Sequence, residues 1–354
     1  LDPNTKKYRY GGFTFKGNRD GAATDLYRGN VLLEAGALTK KRVMQGIMMG
    51  YEWFLKNADE ATGMTKYLYF PSRDRYSKKT NHIRTLASTW SLSEVMKETG
   101  DRRAAPIVRA TLDHYLKNHR VEGRKGFYVK TDKGAPIANN AFLIMTLINF
   151  PEYPKRDEII RGLADAILSQ QRNDGKFHTD FEAGGEGGID FYPGEAILAL
   201  MKLYEETGDA ACFDAAKRAF PYYRDYWRGN RNTAFVPWHT QAHLLMYKAE
   251  KNPEWAEFAF EMNSWLIDND QLFEPAYPDL KGGFKRNPGN STSSYAEGVC
   301  DAYALADLAG NDERAAKFLE SCRQALRFVM QMQYTPDNVF YLKDGNRAIG
   351  GFRK

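Results

Sequence analysis

The chain has 354 residues, of which 43% are hydrophobic and 14% aromatic, so it has enough apolar surface to bury a large core. Its net charge of +5 is small and its Lys and Arg form no stripe, which argues against a nucleic-acid partner. No apolar run is long enough to cross a bilayer, so no transmembrane segment is predicted. Cys300 and Cys322 fall on consecutive predicted helices and could meet, but we interpret them and Cys212 as buried free thiols.

The predicted elements begin with an N-terminal strap over residues 1–39, whose first 30 residues have few apolar positions and are interpreted as a strap or an irregular hairpin. After it, apolar residues recur with the helical period of 3.6. Gly stops followed by Asp starts, as in Thr99-Gly100-Asp101, separate several of the resulting helices. The predicted helices cover residues 40–57, 81–99, 102–119, 137–149, 155–171, 193–207, 210–227, 237–250, 253–268, 295–309 and 312–332.

A Gly-Phe turn recurs along the chain, and a repeat of roughly 40–50 residues indicates stacked supersecondary units. In each pair of helices the first is apolar nearly all round and the second is amphipathic, which is typical of buried inner and solvent-facing outer helices. We therefore predict an all-α fold, an α/α toroid with short β-hairpins at one rim, as a single domain over residues 1–354. The turns are Gly11-Gly12-Phe13, Gly126-Phe127, Gly175-Lys176-Phe177, Gly282-Gly283-Phe284 and Gly350-Gly351-Phe352.

Only five inner helices are predicted, beginning near residues 81, 137, 193, 237 and 295. The helix at 40–57 has no inner partner, and the Gly350-Gly351-Phe352 turn is of the kind that precedes other inner helices. We expect a sixth inner helix in sequence that follows Lys354.

The helical alternation and turns such as Gln170-Gln171-Arg172-Asn173-Asp174-Gly175-Lys176-Phe177 resemble the (α/α)6-toroid superfamilies. These are the six-hairpin glycosidases, the toroid polysaccharide lyases, the sugar 2-epimerases and the terpenoid-cyclase group. The resemblance covers residues 40–354 and matches no single family. It implies an active-site cleft at one mouth of the ring, lined by the starts of the inner helices. The Asp-rich motif and the zinc ligands of the terpenoid-cyclase group are absent.

The starts of the inner helices carry polar side chains that we expect to face this cleft. With Pro193 and Pro237 at first helical positions and Asn81 and Ser294 as N-caps, four side chains fall at equivalent third positions. Two of them, Glu195 and Glu297, are also typical of plain capping, and Ser294 with Glu297 has the pattern of a capping box. The other two, Arg84 and His239, are not typical of capping, because a cation at a helix N-terminus opposes the helix dipole. These four side chains are Arg84, Glu195, His239 and Glu297.

Hydrolysis of a glycosidic bond needs two carboxyl groups, one protonated and one ionised. Our catalytic candidates are Asp190, Glu297 and Glu195, in that order, since Asp190 precedes its helix and is not needed as an interior cap. Clustered carboxylates raise each other's pKa, which suits a general acid. Residues expected to bind the substrate, with aromatic rings as the sugar platform, are His82, Arg84, Asn140, Tyr192, Trp238, His239, Gln241 and Tyr295.

We predict a glycoside hydrolase that acts on a polysaccharide or oligosaccharide outside the cytoplasm, in the periplasm or beyond, with no metal and no cofactor. The start at Leu1 is interpreted as processing or trimming. Two alternatives stay open. A polysaccharide lyase or uronate epimerase would use His82, Arg84 and tyrosines, and Asn81-His82 resembles the Asn-His pair of toroid alginate lyases. A non-catalytic toroid that binds a glycan or a protein would have the same caps and aromatic residues.

Overall fold

The computed structural model describes residues 14–17, 21, 23–27, 31–182 and 187–353. Three antiparallel hairpins pair β1 (Thr14–Gly17) with β2 (Ala23–Leu26), β3 (Tyr69–Phe70) with β4 (Arg75–Tyr76), and β5 (Arg120–Glu122) with β6 (Phe127–Val129). The helices are α1 (Lys40–Asn57), α2 (His82–Thr99), α3 (Ala105–Asn118), α4 (Ile137–Ile148), α5 (Arg156–Ser169), α6 (Tyr192–Thr207), α7 (Ala210–Gly229), α8 (Phe235–Ala249), α9 (Pro253–Asp270), α10 (Thr292–Leu308) and α11 (Asp312–Met332).

Each predicted helix is present, with both ends within three residues of the predicted bounds. The capping residues explain this agreement. The side chains of Thr39 and Asn81 accept N–H bonds from the first turns of α1 and α2, and Gly100 and Gly208 end α2 and α6 in the left-handed conformation. No helix in the described part of the chain is both long and apolar enough to span a membrane.

Three of the inner helices begin before their predicted first residue, and α6 does so by one residue, at Tyr192. Helix α8 begins two residues before Pro237, where Asn232 Oδ1 accepts the N–H of Phe235. Helix α10 begins at Thr292, so Ser294 lies inside the first turn and the predicted capping box does not form. As a result, the four side chains predicted at one level occupy different positions in their helices. Arg84 is the third residue of α2 and Glu195 is the fourth of α6. His239 is the fifth residue of α8 and Glu297 is the sixth of α10.

The helices form two layers of a ring. Helices α2, α4, α6, α8 and α10 pack side by side in this order as the inner layer, and α3, α5, α7, α9 and α11 each cover the inner helix that precedes them. The inner helices α4 and α6 are buried nearly all round. This arrangement confirms the predicted α/α toroid.

A repeated glutamine contact fixes three of the Gly-Phe turns to the next outer helix. In three turns a buried or half-buried glutamine donates from Nε2 to the carbonyl of a turn glycine and to a carbonyl of that helix. The third contact reaches α1, so α1 takes the outer position that follows α11. The carbonyl pairs are Gly175 and Ala215 for Gln171, Gly282 and Ser321 for Gln271, and Gly350 and Gly46 for Gln333.

The inner layer is open between α10 and α2, which among the described residues do not pack as the other inner neighbours do. A cavity of about 590 Å³ lies here, lined by α1, α2 and the turn at 350–353. Phe352 in this turn is 48% exposed, whereas Phe127, Phe177 and Phe284 in the equivalent turns are at most 4% exposed. The expected sixth inner helix concerns sequence after Lys354 and stays a prediction.

The predicted state of two cysteines is wrong. Cys300 of α10 and Cys322 of α11 form a disulfide, because the antiparallel packing of these helices brings their Cα atoms to 5.4 Å. Cys212 is a buried free thiol, as predicted. Of the predicted N-terminal strap, the β1–β2 hairpin is present, and the Gly11-Gly12-Phe13 turn lies outside the described residues. The assignment of the chain to a single domain stays a prediction.

Candidate functional site

A cavity of about 590 Å³ lies inside the inner layer of the ring, and we call it the channel. Helices α2, α6, α8, α10 and α11 contribute to its wall. Most of the wall is apolar or small, so the few polar side chains that reach it determine its chemistry. These side chains include Glu94, Lys202, Gln241, Glu297 and Asp301, with Trp90 beside them.

Two carboxyl groups, those of Glu297 and Asp301, lie one turn apart on the same face of α10. The surrounding protein raises the pKa of Glu297 to about 7, and the nearby Asp301 charge adds to this rise. Burial raises the pKa of Asp301 to about 6, while Lys202 and then Lys248 act to lower it. Glu297 nevertheless remains accessible to water within the channel. Because Glu297 is an exposed residue, water offsets part of the rise that burial gives its pKa. The two carboxyls titrate together with pKa values above their usual range, and the proton is shared in favour of Glu297.

A hydrogen-bonded group in the part of the channel wall that α2 contributes involves Glu94. Its Oε1 accepts from Trp90 Nε1 at 2.9 Å and lies 3.4 Å from Lys202 Nζ. Burial alone would raise the pKa of Glu94, but the Lys202 charge and hydrogen bonds, including one from Asn149, lower it below its usual value. Glu94 is therefore an ionised partner of Lys202 rather than a proton donor.

A row of aromatic rings leads from Trp90 in the channel wall through Phe142 of α4 to Trp238 of α8, and neither of the latter two lines the channel. The Phe142 ring centroid lies 6.0 Å from that of Trp90 and 5.8 Å from that of Trp238. Trp90 and Trp238 are only partly buried, whereas Phe142 is fully buried between them. Flat, partly exposed indole faces are the surfaces on which sugar rings stack in binding sites.

Asp190, the first catalytic candidate from sequence, lies at the turn before α6 and not in the channel wall. Its Oδ1 accepts hydrogen bonds from Tyr226 Oη at 2.8 Å and from Asn232 Nδ2 at 2.9 Å. These contacts join the start of α6 to the end of α7 and the loop that follows, which gives Asp190 a structural function in this conformation.

Glu195 and His239, predicted at the rim, are instead buried between helices. Glu195 is 4% exposed, its Oε2 has no hydrogen-bond partner among the described residues, and burial raises its pKa to about 8. His239 is 1% exposed and stacks on Phe235 with ring centroids 3.6 Å apart. Burial, with a contribution from His243, holds the pKa of His239 well below its usual value. Both side chains are therefore uncharged at neutral pH.

The remaining predicted binding residues divide between surface and core. Arg84 is exposed, with its guanidinium 5.4 Å from the Tyr67 ring centroid. Tyr192 is half-buried, and burial with the nearby Glu195 charge raises its pKa. Tyr295 is buried and its hydroxyl hydrogen-bonds to Thr233 Oγ1 at 2.9 Å.

His82 and Asn140 have their polar atoms engaged by the protein. His82 contacts Tyr115 Oη at 2.8 Å through Nδ1 and Asp132 Oδ1 at 3.0 Å through Nε2. The Asn140 amide is fully buried, where it donates to the carbonyls of Phe127 and Leu163 and accepts from the N–H of Val129. In this conformation Asn140 ties the β5–β6 hairpin to α4 and α5.

Of the predicted residues, the channel wall brings together only Gln241 and Glu297, and Trp238 lies outside this wall against Phe142. Our interpretation of the sequence missed Trp90, Glu94, Lys202 and Asp301. Their signal was present: Lys202 is the one charge in the apolar run 196–203, and Asp301 follows Glu297 by one helical turn. Among the described residues, no group of three or more His, Cys, Asp or Glu side chains is arranged to hold a metal ion.

No protein-family model and no curated protein sequence matches the chain. A D-mannose isomerase structure matches with a TM-score of 0.64 at 12% identity, over 89% of this chain and 93% of that one. The chain has the (α/α)6-toroid fold. A sugar epimerase from a ruminal bacterium matches at 0.60 and 16% identity, over 84% and 87% of the two chains. An unsaturated glucuronyl hydrolase from Streptococcus agalactiae matches with a TM-score of 0.55 at 14% identity, over 84% of this chain and 82% of that one. At these identities the likeness shows the fold alone.

Proposed function

We propose that the protein is a carbohydrate-active enzyme, a glycoside hydrolase that cleaves a polysaccharide or oligosaccharide in the channel. The observation that carries this proposal is the pair of carboxyl groups on α10, whose pKa values are raised to about 7 and about 6. Two carboxyls that titrate at different pH values, next to indole surfaces, supply an acid, a base and a sugar platform. A D-mannose isomerase, a sugar epimerase and a glucuronyl hydrolase share the toroid fold, and this likeness supports a saccharide as the substrate.

In the proposed reaction Glu297 donates its proton to the glycosidic oxygen as the bond to the anomeric carbon breaks. Asp301, which is ionised, takes the second carboxylate role on the positively charged anomeric centre or on the attacking water. Trp90 stacks on the sugar, and the Gln241 amide is available to bind a hydroxyl group. Charge-assisted contact with Lys202 holds Glu94 ionised, so Glu94 does not compete as the acid.

The test is product analysis in ¹⁸O-labelled water after incubation with a panel of neutral and acidic oligosaccharides. Fragments that contain ¹⁸O are expected for the wild type, and Glu297→Gln and Asp301→Asn should each lower the rate by about a hundredfold or more. Glu257→Gln is the matched control, since Glu257 pairs with Arg314 on the outer surface. If Asp190→Asn loses activity with unchanged stability while Asp301→Asn does not, Asp190 holds the second role, as predicted from sequence.

A sugar isomerase or epimerase is the second candidate, and the fold of the D-mannose isomerase and the sugar epimerase favours it. Such an enzyme moves a proton at carbon, for which the same carboxyl pair is suited. It would exchange substrate hydrogen for deuterium in D₂O without fragmentation, whereas a lyase would yield fragments with an unsaturated end. No change in any saccharide of the panel would refute both enzyme proposals and leave the binding toroid.

A further inference from the structure

Lys202 is the one cation among the described residues that line the channel. It interrupts α6, where its neighbours Met201 and Leu203 are buried, and its own side chain is 26% exposed. Placing an ammonium group inside an apolar ring costs free energy unless charged partners compensate for the lost water. The partners of Lys202 therefore indicate what it does there.

The contacts of Lys202 hold its ammonium group against α2. Its Nζ lies 3.4 Å from Glu94 Oε1 and 5.6 Å from the centroid of the Trp90 ring. Trp90 Nε1 donates to the same Glu94 oxygen at 2.9 Å, which orients the carboxylate. An ammonium group has three N–H donors, and the contact with Glu94 uses only one of them. The charge of Lys202 remains available to a second carboxylate that lines the same channel.

Asp301 is that second carboxylate. Four charged groups act on it or on its partners: Glu297 on its own helix, Lys202 on α6, Lys248 on α8, and Glu94 on α2, which acts through Lys202. Lys202 is the stronger of the two cations that favour the ionised form of Asp301. Neither lysine is among the causes that shift Glu297, so the effect distinguishes the two carboxyls of the pair.

On the basis of the proposed function, we propose that Lys202 is a positioning residue. Its ammonium group, held by Glu94 and Trp90, keeps the Asp301 carboxyl ionised beside a protonated Glu297. Without this charge, Asp301 loses the stronger of the two cations that favour its ionised form, so its pKa rises towards that of Glu297 and the two carboxyls compete for one proton. Lys202 therefore decides which carboxyl is the acid and which is the base.

The test is ¹³C NMR titration of the Asp and Glu side-chain carboxyls in the intact protein, with Asp301→Asn used to assign the Asp301 signal. In Lys202→Met the pKa of Asp301 should rise by about one unit. Lys202→Arg should restore most of the wild-type value, and Lys248→Met should shift it less than Lys202→Met does. Glu94→Gln should shift it in the opposite direction, downwards, because Lys202 then has no competing carboxylate.

On a cleaved substrate, the acidic limb of the kcat/KM profile should move up with Lys202→Met by the same amount, at nearly unchanged KM. An Asp301 titration that is the same in Lys202→Met and Glu94→Gln as in the wild type would overturn the proposal. The proposal would also be overturned if Lys202→Met lowered the melting temperature but left the Asp301 titration and the kcat/KM profile unchanged, since a purely structural ion pair gives that result. The titration needs no substrate, so a wild type that fails to hydrolyse any glycan refutes the proposed function and leaves this result interpretable.

Discussion

The buried carboxyl of Glu195 should make the stability of the protein depend on pH in a way that one substitution removes. Glu195 is 4% exposed, no described residue pairs with its Oε2, and its pKa is raised to about 8 because burial disfavours the carboxylate. The unfolded chain releases this proton near pH 4.5, whereas the folded protein keeps it up to about pH 8. The folded state thus binds more protons across this window, and its stability falls as the pH rises.

The size of the effect follows from the two pKa values. Each unit of difference is worth 1.36 kcal/mol, so the penalty is roughly 3 kcal/mol at pH 7 and roughly 1 kcal/mol at pH 5. Glu195→Gln has nearly the same volume and does not titrate. Relative to the wild type, it should therefore gain roughly 2–3 kcal/mol between pH 5 and pH 7, whatever constant offset its amide group introduces.

Urea unfolding of both proteins at pH 5, 6, 7 and 8 measures this difference, and effects of the other titrating groups cancel because both proteins share them. The pH dependence of the difference is the informative quantity. Parallel curves for the two proteins from pH 5 to pH 8 would refute the reasoning, since Glu195 would then ionise in the folded protein without cost. It would have to reach water or a cation in solution, which would restore it as a catalytic candidate.

Three further predictions concern the repeated turns and the disulfide. Gly282→Ala should lower the free energy of unfolding by more than about 3 kcal/mol, because its φ of 87° is strained for alanine and a Cβ would lie 2.0 Å from the carbonyl oxygen of Gln324. The control Gly310→Ala, with a φ of 68° and open space around it, should lower it by about 1 kcal/mol. Equal losses for the two variants in urea unfolding would contradict this prediction. Gln271→Leu should cost about 2 kcal/mol by the same measurement, because the carbonyls of Gly282 and Ser321 lose a buried donor, and an unchanged midpoint would show that they find another donor. Reduction of the disulfide, which joins residues 22 apart, should lower the free energy of unfolding by about 3 kcal/mol. The stability of the Cys300→Ser/Cys322→Ser protein should not change with reductant. If the stability of the wild type does not change with reductant either, the bridge does not stabilise the fold.

The fold could be predicted from sequence because its signals are local. Period, glycine stops and Asx or Thr caps lie within one helix, and the inner and outer layers follow from how far the apolar face extends around each helix. The disulfide was less accessible, since the meeting of Cys300 and Cys322 depends on how α10 and α11 pack against each other. Pro237 misled the prediction for a related reason. Proline is tolerated throughout the first helical turn, where N–H groups have no intrahelical partner, so it does not mark the first residue.

The candidate site was less predictable because the depth of a side chain in the channel depends on where its helix begins, and each residue shifts that depth by about 1.5 Å. Residues 291–294 offer four successive Ser or Thr residues, each a plausible cap. The structure chooses among them by a contact from outside the helix, in which Thr292 is fully buried and its Oγ1 accepts the N–H of Phe284 in the preceding turn. That contact starts α10 early, carries Glu297 down from the rim into the channel, and places Asp301 one turn further along the helix, in the wall that Lys202 also lines. The i, i+4 spacing of Glu297 and Asp301 is a local pattern that the sequence shows. A tertiary hydrogen bond determines where along the channel this pair lies, and no local pattern in α10 records that.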